Sequence, residues 1–138
     1  MKIKLSELID MFDEIRYFEN IIYDKAENNF LFISEFDLEY DLVKKIENDE
    51  ESRYYFLPSR YGFHDSEIID EYIYNVDNDN IRNKLDYSFY GRGKYRRFKE
   101  ALRSFGIEED YYKFRYNYLK NCAIEWCNKN SLEYDENN

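Results

Sequence analysis

The chain is poor in the residues that punctuate, cross-link and coordinate: among 138 residues there are one Pro, four Gly, two Cys, one His and one Trp. Few Gly and Pro with abundant aromatics is the reverse of a disordered composition. No Gly/Ser/Pro linker and no internal repeat divides the sequence, so residues 1–138 read as one domain with its last few residues frayed. Cys122 and Cys127 stand five apart, which is neither a CxxC pair nor a secreted disulfide framework. They read as buried, reduced thiols of a cytoplasmic protein. His64, beside Asp65 and Glu67, cannot assemble a triad or a zinc site with those two thiols. It reads as a residue entering a helix cap. No catalytic set, metal or cofactor is expected. No apolar run reaches the length of a bilayer span, and Met1 to Leu5 leads straight into charged residues rather than a signal-peptide core. No membrane partner is expected.

What the chain has instead is aromatic bulk and acid. Sixteen Tyr and eleven Phe contribute to an aromatic content of 20%. Heavy use of Asn, Ile, Lys and Tyr suits an AT-rich bacterial or phage source. The formal charge of −10 is uneven. Residues 1–80 carry 8 Lys and Arg against 21 Asp and Glu, a balance of −13, and residues 81–138 carry 12 against 9, a balance of +3. Two regions of opposite sign either pair with each other or meet different partners. The overall acidity opposes non-specific attraction to nucleic acid or membrane.

Periodicity supplies the fold class. Ser6 is an expected N-cap before Leu8, Ile9, Phe12 and Ile15, which recur at helical spacing. Residues 19–23 and 30–33 are β-leaning runs joined by a polar link, which predicts a hairpin with a loop longer than two residues. A helix is expected from Asp37, with Leu38, Leu42 and Ile46 on one stripe. A short strand from Tyr54 to Leu57 follows, closed by Pro58. Helices are then expected after Asp65 or Ser66, after the Asp77–Asn80 break, from about Lys94 to Phe105, and from about Asp110 to Lys129. An edge strand is expected between Ser131 and Tyr134. Strands early and helices late predict an α+β domain: a small antiparallel sheet from the N-terminal half and a helix-rich C-terminal half.

The most informative segment is Gly91-Arg92-Gly93-Lys94-Tyr95-Arg96-Arg97-Phe98-Lys99, followed by Arg103. Six basic residues and one acid, Glu100, fall between Gly91 and Ser104. At 100° per residue, Tyr95, Phe98, Leu102 and Phe105 share a face that should bury, while Arg96, Lys99 and Arg103 fall on the opposite side. Phe98, Leu102, Phe105, Phe114 and Trp126 are expected in one core. Two glycines let backbone approach a ligand closely, and a helix N-terminus attracts anions. Gly91, Arg92, Gly93, Lys94, Arg96, Lys99 and Arg103 are therefore the candidate anion- or partner-binding residues. Alternatively, the glycines only end one helix and start the next, and the basic stripe braces the acidic half or faces water. The pattern is neither the GxxxxGK[ST] phosphate loop nor GxGxxG.

This segment resembles the glycine–basic–aromatic signature of an uncharacterised family of small bacterial proteins, the UPF series member zero-one-five-eight. The aromatic strand ending at Pro58 and the helix ending with Glu125-Trp126 agree with it. The resemblance spans nearly the whole chain, most specifically Tyr54 to Lys129, and departs at Lys94, which stands where the family has a small residue. It implies fold boundaries and carries no established activity.

Three functions follow, in this order. The first is a non-catalytic interaction or regulatory module gripping an acidic protein partner through the basic segment and Tyr-rich surface. The second is an RNA- or DNA-binding protein, with Arg92 to Arg103 on phosphates and Tyr90 or Tyr95 stacked on a base. The third is an enzyme acting on a phosphorylated substrate, with the glycine turn as cradle. The acidic clusters at Asp37–Asp41, Glu47–Glu51 and Asp77–Asp79 lack calcium-loop spacing and read as solvated surface.

Overall fold

The central strand of the sheet shows how the chain commits its apolar residues. The computed structural model describes residues 2–33, 40–49 and 51–136, the side chains of 40–43 excepted. Strand β2 (Asn20–Asp24) pairs antiparallel with β3 (Asn29–Ile33) on one side and with β4 (Tyr54–Phe56) on the other, in the order β3-β2-β4. Ile22 faces Leu31 and Phe56 across the two ladders. Covered on both faces, β2 buries Ile21, Ile22, Tyr23 and Asp24 in succession instead of alternating.

Asp24, 4% exposed, is held by a fork: Arg53 Nε donates to Oδ1 at 2.7 Å and Nη2 to Oδ2 at 2.9 Å. The backbone N–H groups of Ala26 and Glu27 also donate to Oδ1. This turns the hairpin link back on itself and holds the Asp24 carboxyl below the usual carboxylate range, chiefly through Arg53.

A second, smaller pairing joins the two ends of the described chain. Strand β1 (Ile3–Lys4) runs parallel to β5 (Tyr134–Asp135), with Ile3 opposite Tyr134. This pairing displaces the expected cap. Helix α1 (Leu5–Glu14) begins before Ser6, with Lys4 in extended conformation at the N-cap and no side-chain cap bond. Because β1 leads directly into the helix, Ser6 falls inside its first turn. Leu5, Leu8, Ile9 and Phe12 then form the buried stripe. Helix α2 (Tyr40–Glu47) follows β3 in sequence, while the expected start at Asp37 and the stripe position Leu38 lie outside the described residues.

Among the described residues four further α-helices follow: α3 (Asp65–Tyr74), α4 (Asp79–Ser88), α5 (Lys94–Phe105) and α6 (Glu108–Lys129). Glu108, Glu109 and Asp110 fill the first turn of α6, where carboxylates suit the helix dipole and extend it two residues beyond the expected start. The architecture is α+β, with a small antiparallel sheet in the N-terminal half and a helix-rich C-terminal half. Among the described residues, no helix is long and apolar enough to cross a membrane.

Although no linker marks a boundary in the sequence, the fold divides into two compact units. One comprises the described residues of 1–64 and 119–138, the other residues 65–118. Trp126 belongs to the first. Its ring meets Phe12 edge-on at 6.3 Å, and its Nε1 donates to the Phe56 carbonyl at 2.9 Å.

In the second unit, Ile69, Tyr72, Ile73, Leu85, Phe98, Leu102 and Tyr111 form the core, with Phe105 and Phe114 packed against it. Tyr72, Phe98 and Tyr111 meet edge-on in a triangle with centroids 5.1–6.5 Å apart. The expected common core of Phe98, Leu102, Phe105, Phe114 and Trp126 is thus corrected at its last member.

Candidate interaction surface

The basic segment begins where α4 stops. Asn78 caps the start of α4 by accepting from the Ile81 N–H at 3.0 Å, and Leu85 sits at its buried center. After Ser88 the chain must reverse within a few residues to start α5, and Gly91 (φ +70°) and Gly93 (φ +77°) supply the left-handed backbone. Gly93 occupies the N-cap position of α5 without a side-chain cap bond.

The reversal is fastened by a residue outside the candidate set. The Arg97 guanidinium folds back over the turn and donates to three carbonyls: Ser88 (3.2 Å, through Nε), Arg92 (2.6 Å, through Nη1) and Tyr90 (through Nη2). A Cβ on Gly93 would stand 3.1 Å from Arg97 Nη1, whereas one on Gly91 would meet nothing within 4 Å. The close approach that Gly93 permits is that of Arg97, and Gly91 is required for its dihedral alone.

Around this clamp the expected site residues separate. Arg92, Arg96 and Lys99 are exposed, and their side chains have no hydrogen bond or ion pair among the described residues. Lys94 is half-buried, its Nζ 4.6 Å from the center of the Phe89 ring and 5.4 Å from that of Tyr95. Arg103 lies at the other end of α5 and pairs with Glu108 at 3.3 Å. The turn and first half of α5 therefore carry Gly91, Arg92, Gly93, Lys94, Arg96 and Lys99 in one stretch, while the Arg103 charge is compensated separately.

The expected buried face is corrected at Tyr95. Phe98 and Leu102 are buried and Phe105 is half-buried, but Tyr95 is 47% exposed. It sits in the first turn, where Phe89 packs edge-on against its ring at 5.2 Å and the Lys94 Nζ lies 5.4 Å from the ring center.

Two more tyrosines stand nearby. Tyr87 and Tyr90 are 89% and 81% exposed, and with Asp86 and Arg97 they line an open hollow of about 630 Å³. Tyr87 was readable in principle. It lies off the Ile81–Leu85–Phe89 stripe by the helical period, so a bulky aromatic there must face away from the core. Nothing in the sequence distinguishes Arg97 from its neighbor Arg96 as the residue that folds back.

The remaining candidates are structural or solvated. His64 is exposed. Asp49 accepts the N–H groups of Arg53 and Tyr54 at 2.9 and 2.8 Å, which lowers its pKa. Asp79 pairs with Arg82. Cys127 is buried and Cys122 half-buried; neither forms a disulfide, and burial pushes the Cys127 thiol up to about 11. Among the described residues, no cluster of His, Cys, Asp and Glu is arranged to hold a metal ion.

No family model, curated protein or solved structure matches the chain.

Proposed function

We propose that the chain is a cytoplasmic, non-catalytic interaction module that grips an acidic protein partner through the basic segment from Gly91 to Lys99. One observation carries the reading. The chain has nine arginines, and among the described residues only the guanidiniums of Arg92 and Arg96 make no hydrogen bond or ion pair. Arg16 pairs with Asp13, Arg53 with Asp24, Arg82 with Asp79, Arg103 with Glu108 and Arg115 with Asp65. Arg60 donates to the Tyr61 hydroxyl, and Arg97 holds the turn.

In a chain of net charge −10, carboxylates for pairing are abundant. Two guanidiniums left open in the segment that also carries Lys99, with the exposed Tyr87, Tyr90 and Tyr95 nearby in sequence, provide the residue types that dominate binding hot spots. The resemblance to the UPF series family rests on this same segment.

A second reading draws on the hollow beside Tyr87 and Tyr90: a base could stack there while Arg92 and Arg96 meet phosphates, making the partner a single-stranded nucleic acid. Two labelled probes separate the readings, a Glu-rich peptide containing Tyr and a uridine-rich RNA 12-mer, each followed by fluorescence anisotropy over a range of salt. The first reading expects the peptide to bind and the Arg96→Ala/Lys99→Ala double variant to lose that binding, most strongly at low salt. Preferential RNA binding with a log–log salt slope of about −2, as three phosphate contacts to a single strand would give, establishes the second. Unchanged peptide binding by the double variant refutes the first.

A further inference from the structure

A groove in the second unit shares no residue with the basic segment and has the opposite electrostatic character. It encloses about 550 Å³ between the end of α3, the start of α4 and the first half of α6, a volume in the range of ligand-binding clefts. Its floor is apolar: Val76, Ile81, Ile107 and Phe114, all half-buried. Its charged rim is Asp77 and Asp110 against Lys113. The Tyr72 hydroxyl donates to Asp110 Oδ2 at 2.9 Å. The other Asp110 oxygen and the Asp77 carboxylate have no partner among the described residues. An apolar floor with two open carboxylates suits a group that is aliphatic along its length and cationic at its tip, the chemistry of an Arg or Lys side chain.

Three side-chain amides add a second requirement. Asn75 uses Nδ2 on the Glu71 carbonyl, leaving Oδ1 as an acceptor. Asn78 uses Oδ1 on the Ile81 N–H, leaving Nδ2 as a donor. Asn117 has neither group engaged among the described residues. Complementary donors and acceptors on the rim match a peptide backbone, which presents both. A free alkyl cation would leave them to water.

We infer that this groove binds a short extended peptide segment, seating an Arg or Lys side chain on the Val76–Ile81–Ile107–Phe114 floor with its charge at Asp77 and Asp110.

The test uses the whole chain with isoleucine methyl groups labelled for NMR. Two probes are titrated, butylguanidinium and the capped tripeptide acetyl-Ala-Arg-Ala-amide. Both should give saturable shifts at Ile81 and Ile107, with the tripeptide at least tenfold tighter. Asp77→Asn should weaken the tripeptide severalfold. Lys113→Glu should strengthen it severalfold, a gain that damage to the fold cannot mimic. Absence of saturable shifts at these methyls overturns the site. Equal affinity for the two probes overturns the peptide assignment. Equal response to butylguanidinium and neutral butanol overturns the role of the carboxylates, as does an unchanged affinity in Lys113→Glu.

Discussion

Replacing Trp126 tests how the C-terminal part of α6 is fastened to the edge of the sheet. The indole is 8% exposed, lies edge-on to Phe12 and donates its N–H to the carbonyl of Phe56 in β4. Because β4 ends the strand order, a donor from α6 takes the place of a further strand. Burying an aromatic side chain of about 150–250 Å² at about 25 cal/mol/Å² gives roughly 4–6 kcal/mol, an upper estimate because unfolded chains are already partly compact. Trp126→Ala should therefore cost about 3–5 kcal/mol, including the cavity it leaves.

Trp126→Phe separates packing from the hydrogen bond, since it keeps a ring and removes the donor. Phe56 is half-exposed, so water can partly replace the donor, and the expected cost is only about 1–2 kcal/mol. Trp126 is the sole tryptophan, so fluorescence is lost in both variants and urea unfolding must be followed by far-UV circular dichroism. A Trp126→Ala change within half a kcal/mol would refute the packing argument. Equal costs for the two variants would assign the stability to the hydrogen bond instead.

Removing the clamp in Arg97→Ala should cost about 2 kcal/mol, because charge-assisted hydrogen bonds to three carbonyls disappear. Gly93→Ala should cost about 1–2 kcal/mol through its left-handed backbone; unchanged urea midpoints in both would refute the clamp. Asp24 has a depressed folded-state pKa, so its stabilisation is complete above the unfolded value near ~3.9 and lost as pH falls through the folded value. The urea midpoint should accordingly drop below about pH 4, and an Asp24→Asn variant with an equally steep acid limb would contradict this linkage. Cys127, with its thiol pushed up to about 11, should resist iodoacetamide at pH 8 until the chain is unfolded; native labelling as fast as that of a free thiol would show that it is not buried.

Much of the fold was legible because particular runs permit few alternatives. Ile21-Ile22-Tyr23 and Phe30-Leu31-Phe32 are short, apolar and bounded by polar residues, and they form the hairpin. Phe98 and Leu102 lie one turn apart and are both buried. Trp126 was misassigned for a geometric reason. Residues four apart drift by about 40°, so the three steps from Phe114 to Trp126 turn the side chain roughly a third of the way around the helix. One apolar series at that spacing can serve two cores in succession. The β1–β5 pairing was missed because its partners are 131 residues apart in the register Ile3–Tyr134, and two-residue strands leave no periodic signal. In the basic segment, composition identified the stretch but could not assign tasks within it, since Arg96 and Arg97 differ only by a rotation of about 100° about the helix.

That assignment bears most directly on function. Wherever this chain uses an arginine to stabilise its fold, the guanidinium has a defined partner: a buried carboxylate for Arg53, a helix-start carboxylate for Arg115, three carbonyls for Arg97. An internal brace made by the basic stripe would require comparable partners for Arg92 and Arg96, and the described residues supply none. Arg97 already fastens the glycine turn, so the side chains of Arg92 and Arg96 are not needed to hold it. Holding two guanidiniums and Lys99 near exposed tyrosines in the sequence adds little to stability, because solvated charges gain little from distant opposite ones. The arrangement acquires energetic value only when a partner brings the missing anions and excludes water from the tyrosines.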